Sequence, residues 1–255
     1  MNSKKAESTK ITLQAFIASL SRKDLDYINK EFEKLENKKP VYSFSKIKNE
    51  SLKRIVDIKK RISTQSFDHW FNNGISLSNN ILGFLNDLIS ENKDFMTDYN
   101  EEDLKINFIA PILTKVYYKD IENEIRGFYN ESLTYQTNEF ILTGFCDFYV
   151  SKGLFSPEKP YFFIQEFKKG LEYSNPQPQL LAELISAVEL NGFTTIKGAY
   201  IVGAIWNFVI LEKLDKNKYQ YFVSENFDSS KIEDLKNIYK NLLFVKNEIL
   251  KIAKN

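Results

Sequence analysis

Apolar residues recur at helical spacing through the first hundred positions and at strand spacing after them. Ser8 and Thr9 stand where they could cap a helix carrying Ile11, Leu13, Phe16, Ile17 and Leu20. Ser21 precedes a second helix, with Leu25, Tyr27, Ile28, Phe32 and Leu35 at helical intervals, and Pro40 ends that run. Lys46 to Ile62 reads as a third amphipathic helix. Its apolar side carries Leu52, Ile55, Val56 and Ile58, and its polar side Lys53, Arg54, Lys59, Lys60 and Arg61. Ser76 to Asn92 is a fourth, through Ile81, Leu82, Leu85 and Leu88. The pattern predicts a helical region over residues 1–94 and a different domain over 95–255.

From Asn100 the texture changes. Glu101 to Tyr118 reads as a helix on Leu104, Phe108 and Leu113, with Pro111 bending or ending its regular part. Three runs rich in aromatic and β-branched residues follow, at Ile121 to Tyr135, Glu139 to Ser151 and Tyr161 to Phe167. Asn130 and Asn138 are the expected turn residues between them. Pro176 and Pro178 open a helix that Asn191-Gly192 closes. Gly198 to Val209 reads as a buried strand or pair of strands, and Tyr219 to Val223 as a short edge strand. Asp228 or Ser229 caps a long final helix through Ile232, Leu235, Ile238, Leu242, Val245 and Ile249. The expected fold class is α/β: a mixed sheet flanked by helices, in the order αβββαβ, preceded by the helical region.

Composition narrows the function classes. Hydrophobic residues make up 43% and aromatics 15% of the 255 positions, so the chain can bury a core. Its 35 basic and 34 acidic residues leave a net charge of +1, which does not announce a nucleic-acid surface and does not exclude one, since a sum hides clusters. With one cysteine and one histidine, an internal disulfide is impossible and a Cys/His zinc site is not expected. Met1 to Lys10 lacks an apolar stretch, so no signal peptide is expected there. No apolar run reaches the ~20 residues of a membrane span. The natural placement is cytoplasmic. No Gly-x-x-x-x-Gly-Lys phosphate loop and no Gly-x-Ser-x-Gly elbow occurs.

The chemistry gathers in two strand-like pieces, Gly144-Phe-Cys-Asp-Phe-Tyr-Val150 and Phe163-Ile-Gln-Glu-Phe-Lys168. Burying an unpaired carboxylate or ammonium costs several kcal/mol, roughly, so Asp147, Glu166 and Lys168 in an apolar context need a compensating partner. Side chains alternate along a strand, so Glu166 and Lys168 share a face. If the strand of Asp147 lies beside theirs, two carboxylates and one ammonium meet. The carboxylates would repel each other, and a divalent cation between them removes that cost. Hard oxygen ligands suit Mg²⁺ or Mn²⁺.

An Asp on one strand followed by Glu-x-Lys on the next, between helices, resembles the PD-(D/E)XK nuclease superfamily, which includes restriction endonucleases. Asn100 to Leu113 looks like the helix preceding the nuclease strands in the R subunits of type I restriction enzymes. The likeness spans roughly residues 100 to 210, under half of the chain. It implies a restriction-endonuclease-like core and Mg²⁺-dependent hydrolysis of DNA phosphodiester bonds, in restriction or another defence role. Asp147 and Glu166 would be metal ligands and Lys168 the residue acting on the attacking water. The resemblance also implies an acidic residue on the preceding helix to complete the metal site. By position this is Glu101, with Glu102 the alternative. Gln179, near the start of the helix after Glu-x-Lys, would support the water or scissile phosphate, and Glu183 lies one turn on. The superfamily's Pro is replaced by Cys146, which reads as a small buried hydrophobe.

Each of these residues has a plainer reading. Asp147 could cap a turn or pair with Lys168, Glu166 and Lys168 could form an edge-strand ion pair, and Glu101 could be an acid favoured by the helix dipole. The apolar run Tyr161 to Ile164 argues against an edge strand. His69 sits in an aromatic cluster and reads as packing, and the basic run Lys53 to Arg61 as a solvated face that could touch DNA phosphate. The alternative function is a catalytically inactive, nuclease-like module that binds nucleic acid or a protein partner. Cutting both strands of a duplex would call for a homodimer, and the helical first region could dock a protein partner.

Overall fold

In a computed structural model, residues 15–36, 39–63, 65–170 and 175–254 are described. The chain divides into two compact units, Met1–Pro40 and Val41–Asn255. In the first, helix α1 (Arg22–Glu36) starts at a reciprocal cap. The Asp24 amide donates to Ser21 Oγ, and the Ser21 amide donates to Asp24 Oδ2. The start of the helix expected from Ser8 and Thr9 lies outside the described residues.

The second unit is built on a mixed sheet flanked by helices on both faces. Its elements are β1 (Val41–Ser43), α2 (Asn49–Ile55), β2 (Asp57–Lys60), α3 (Asp68–Phe71), α4 (Asn79–Asn92), α5 (Glu101–Leu104), α6 (Ala110–Val116), β3 (Ile125–Gln136), β4 (Ile141–Lys152), β5 (Glu158–Lys168), α7 (Pro176–Asn191), β6 (Thr195–Val202), β7 (Ile205–Asp215), β8 (Lys218–Val223), β9 (Phe227–Asp228) and α8 (Ile232–Ala253). The strand order is β1-β4-β5-β6-β7-β8-β2, with β3 also on β4 and β9 on β7. β3, β4 and β5 pair antiparallel, and β6 joins β5 parallel after the crossover through α7. The order expected from residue 100 onward is present.

Two cores flank the sheet. One packs α3, α4, α6 and α8 around Trp70, Phe108, Ile112, Trp206 and Leu235. The other packs α2 and α7 around Leu52, Leu180, Leu184 and Ile164. In α7 every residue from Pro178 to Val188 is buried, because this crossover helix is covered on most sides. In β5 burial is continuous from Phe162 to Phe167, as a central strand requires.

Five readings need correcting. Lys46 to Ile62 is not one helix: α2 ends at Ile55 and the chain enters β2, parallel to β8, with Ile58 buried between exposed neighbours. The same four apolar residues satisfy a helical and a strand period over so short a run, and the sheet edge decides. With β1 and β2 in the sheet, residues 41–94 contribute strands as well as helices. Tyr219 to Val223 is therefore not an edge strand, since β2 covers β8. α8 has Lys231 as its N-cap, without a side-chain bond from it, rather than Asp228 or Ser229. Asn130 lies inside β3 instead of in a turn.

Asn130 has a left-handed backbone (φ +51°) and sits across from Asp147. The ladder pairs Tyr129 with Phe148 and Glu131 with Cys146, on either side of that point. Leu142 and Cys146 face the core around α7, whereas Phe148 and Val150 face the opposite one. All four numbers are even, so the alternation slips between Cys146 and Phe148. Asp147 occupies the slip.

Pro111 is absorbed differently from expectation. A five-residue π-turn, Lys105–Ile109, precedes it within an otherwise helical run. Proline removes one amide donor and its ring crowds the carbonyl four residues back, and a widened turn relieves both.

Gly198 on β6 lies close under α7. A Cβ there would lie 2.8 Å from the Ile164 carbonyl oxygen and 3.0 Å from Leu184 Cδ2. Gly198→Ala should therefore lower unfolding free energy by about 1–3 kcal/mol in urea titration, without moving the far-ultraviolet spectrum of the native state.

Candidate active site

β4 and β5 pair as Phe148 with Gln165 and Tyr149 with Ile164, so continuing the register would set Asp147 against Glu166. Here the strands part. The Asp147 Oδ2 atom accepts the Phe167 amide at 2.9 Å, in place of a backbone carbonyl. Glu166 and Lys168 remain on β5, held by pairing with Tyr200 and Val202 of β6. The sheet thus brings Asp147, Glu166 and Lys168 to one place.

Lys168 Nζ donates to Glu166 Oε1 at 2.6 Å and to the Phe167 carbonyl at 2.9 Å, and reaches Glu101 Oε1 at 3.5 Å. Glu101 lies in the first turn of α5, which starts at a capping box between Asn100 and Asp103. Of the two acids considered on this helix, Glu101 is the one that meets Lys168. Glu102 is 68% exposed and pairs with Lys105 instead.

Gln179 and Glu183 enter from α7. The Gln179 amide donates to Glu183 Oε1 at 3.1 Å, so Gln179 orients a carboxyl of the cluster. Glu183 is completely buried. The second oxygen of Glu183 and that of Glu166 have no hydrogen-bond partner among the described residues.

Burial, then the negative charge of Asp147, push the Glu166 carboxyl up to about 9, against the pull of Lys168. Burial and the nearby Glu166 push Glu183 well above the usual carboxylate range. Burial would lower Lys168, but the carboxylates of Glu166, Asp147 and Glu101 outweigh it and hold its ammonium charged. The Cys146 thiol is pushed up by burial and by Glu183, which makes it a poor nucleophile and fits its reading as a small buried side chain. The His69 ring packs edge-on against Phe244 at 5.2 Å, away from these residues.

Sequence reasoning missed Lys105. Its Nζ lies 3.3 Å from Asp147 Oδ1 and 3.4 Å from Glu102 Oε1, and 5.9 Å from the Phe167 ring centre. The signal was present, because a residue four positions after Glu101 shares its helix face. Among the described residues, no three acidic, histidine or cysteine side chains converge as a ready cage for an ion. Lys105 and Lys168 stand between the carboxylates instead. Two buried carboxyls with unpartnered oxygens, beside Asp147, are hard oxygen donors that would suit Mg²⁺ or Mn²⁺ on losing their protons.

Compared with known proteins, the sequence matches no protein-family model and no curated protein. The chemistry of the site therefore rests on its own residues. Among the described residues no helix is long and apolar enough to cross a membrane.

A carboxyl whose folded-state pKa is raised holds its proton more tightly in the folded chain than in the unfolded one. Its contribution is complete below the ordinary value of 4.5 and is lost as pH climbs through about 9. In EDTA, urea titrations should show stability falling across that window. Glu166→Gln should flatten the fall, and adding Glu183→Gln should flatten it further. An unchanged slope in the double variant would contradict the buried-carboxyl account.

Proposed function

We propose that this chain is a metal-dependent nuclease of the PD-(D/E)XK kind, with a restriction-endonuclease-like core, hydrolysing phosphodiester bonds of DNA. The observation that carries the reading is the meeting of Asp147, Glu166 and Lys168 at the place where β4 and β5 part, with Glu101 opposite. Three carboxylates and an ammonium at the end of a strand pair match the donor set that phosphodiester hydrolysis needs. The element order around them, helix, three antiparallel strands, crossover helix and parallel strand, agrees.

Asp147, Glu166 and Glu101 would hold the cation. When bound, a divalent cation supplies positive charge to the phosphoryl oxygens and lowers the pKa of a water. Lys168 Nζ, beside Glu166, would donate to the attacking water or to a non-bridging oxygen as negative charge builds on phosphorus. Lys105 is placed for the same service beside Asp147. Gln179 holds Glu183, whose proton or charge sets how readily Glu166 ionises. Near-zero net charge leaves DNA binding to local clusters of lysine rather than to the whole surface.

Incubation with plasmid, linear and single-stranded DNA and with RNA, in Mn²⁺ or Mg²⁺ against EDTA, tests the reading. Cutting should need the metal, and Lys168→Ala should reduce it at least about a hundredfold while leaving the fold intact. Undiminished cutting by that variant would sink the assignment.

A second reading, a non-catalytic module on the same scaffold, draws on the ion pairs themselves. Lys168 already pairs with Glu166, and Lys105 with Asp147. Calorimetric titration separates the two. An active site should bind Mn²⁺ with heat that disappears in Asp147→Asn and Glu166→Gln, whereas a module of this second kind should show no such binding.

A further inference from the structure

Beside Lys168 the fold leaves a cavity of about 420 Å³. Its lining adjoins the site along the chain: Leu104 follows Glu101 by three residues, Lys169 follows Lys168, and the Gly203 amide donates to the Lys168 carbonyl at 2.9 Å. Ile89, Met96 and Leu104 supply an apolar wall. Tyr99 supplies an aromatic one, set in place because its hydroxyl donates to Asn92 Oδ1 at 2.7 Å while the Asn92 amide is tied to the Leu88 carbonyl. Lys93 and Lys169 also line it, with Thr97, Ala204 and Ser230, and neither lysine forms an ion pair among the described residues. The other lysines of this neighbourhood, Lys105 and Lys168, are both paired.

Two free ammoniums beside an apolar and aromatic hollow ask for a ligand that is anionic at one end and flat and apolar at the other. A nucleotide has that form. Its phosphate suits the lysines, and its base has a face for Tyr99 and edges against Ile89 and Met96. The volume lies in the range of small-ligand pockets and exceeds what one base alone fills. We propose that this cavity receives the nucleotide neighbouring the scissile phosphate, so that the substrate carries an unpaired nucleotide at the cut. A base stacked in a duplex cannot enter such a cavity without leaving its stack, at a cost of roughly a few kcal/mol, whereas a single strand enters without it. The proposal rests on the nuclease reading for the word scissile, but the binding of an unpaired nucleotide can be measured apart from cutting.

The test is fluorescence anisotropy in EDTA, with labelled oligothymidylate, an abasic strand of equal length and a blunt duplex. Oligothymidylate should bind at least about tenfold more tightly than either, by the worth of stacking one base. The advantage should vanish in Ala204→Phe, which fills the cavity from the turn between β6 and β7, and in Lys93→Ala/Lys169→Ala. Thermal melts establish that each variant folds, and the lysine pair decides should Ala204→Phe not fold. Equal binding of the abasic strand or the duplex, or folded variants that bind like the parent, would overturn the proposal. Cutting is then assayed separately in Mn²⁺. A binding advantage with no cutting of any substrate defeats the nuclease reading and leaves the cavity's assignment standing. Cutting without any preference for unpaired strands does the reverse.

Discussion

Glu166 sits in the middle of the sheet with almost no contact with water, and every neighbouring choice answers to that burial. A carboxylate in so apolar a place must be neutralised, paired or ligated. Lys168, one step along the same strand face, pairs with one of its oxygens. Burial, and then the negative charge of Asp147, outweigh that pairing, so Glu166 holds its proton far above the usual range. Packing alone would favour an apolar side chain here. The cluster is strained in charge, and the strain is the kind that a cation relieves.

The backbone around the cluster is arranged to permit it. β4 and β5 diverge where Asp147 takes the Phe167 amide, so the carboxylate substitutes for a ladder carbonyl without leaving an orphan donor. The left-handed Asn130 opposite, and the change of side-chain phase in β4, free Asp147 from both cores. On the other side, the π-turn before Pro111 carries Lys105 at its first position, beside Asp147. Irregular backbone thus borders the candidate site on both sides, at Asn130 and at the π-turn.

Charge at the site is local and nearly balanced, which fits the chain as a whole. Glu101, Asp147, Glu166 and Glu183 face Lys105 and Lys168, and Lys93 and Lys169 lie just beyond, unpaired. A phosphodiester ligand would find its positive partners at these few residues. The net charge of the chain carries no sign of them.

What the amino-acid sequence determined by itself is local in origin. The apolar run before Glu166, the Glu-x-Lys spacing and strand alternation placed Glu166 and Lys168 on one face of a central strand, and Pro176 and Gly192 marked both ends of α7. Periodicity failed where two periods fit one short stretch: Val56 and Ile58 suit a helix or a strand, and pairing with the edge of β8 put Ile58 in β2. Tertiary structure alone decided that Asp147 lies beside Glu166, because strand register depends on partners some twenty residues apart. It also decided that Glu101 rather than Glu102 faces Lys168, that Lys105 joins the site, and that Lys169 borders a cavity. Each of those facts depends on how a helix rotates and where a turn closes, and no local pattern of apolar residues encodes either.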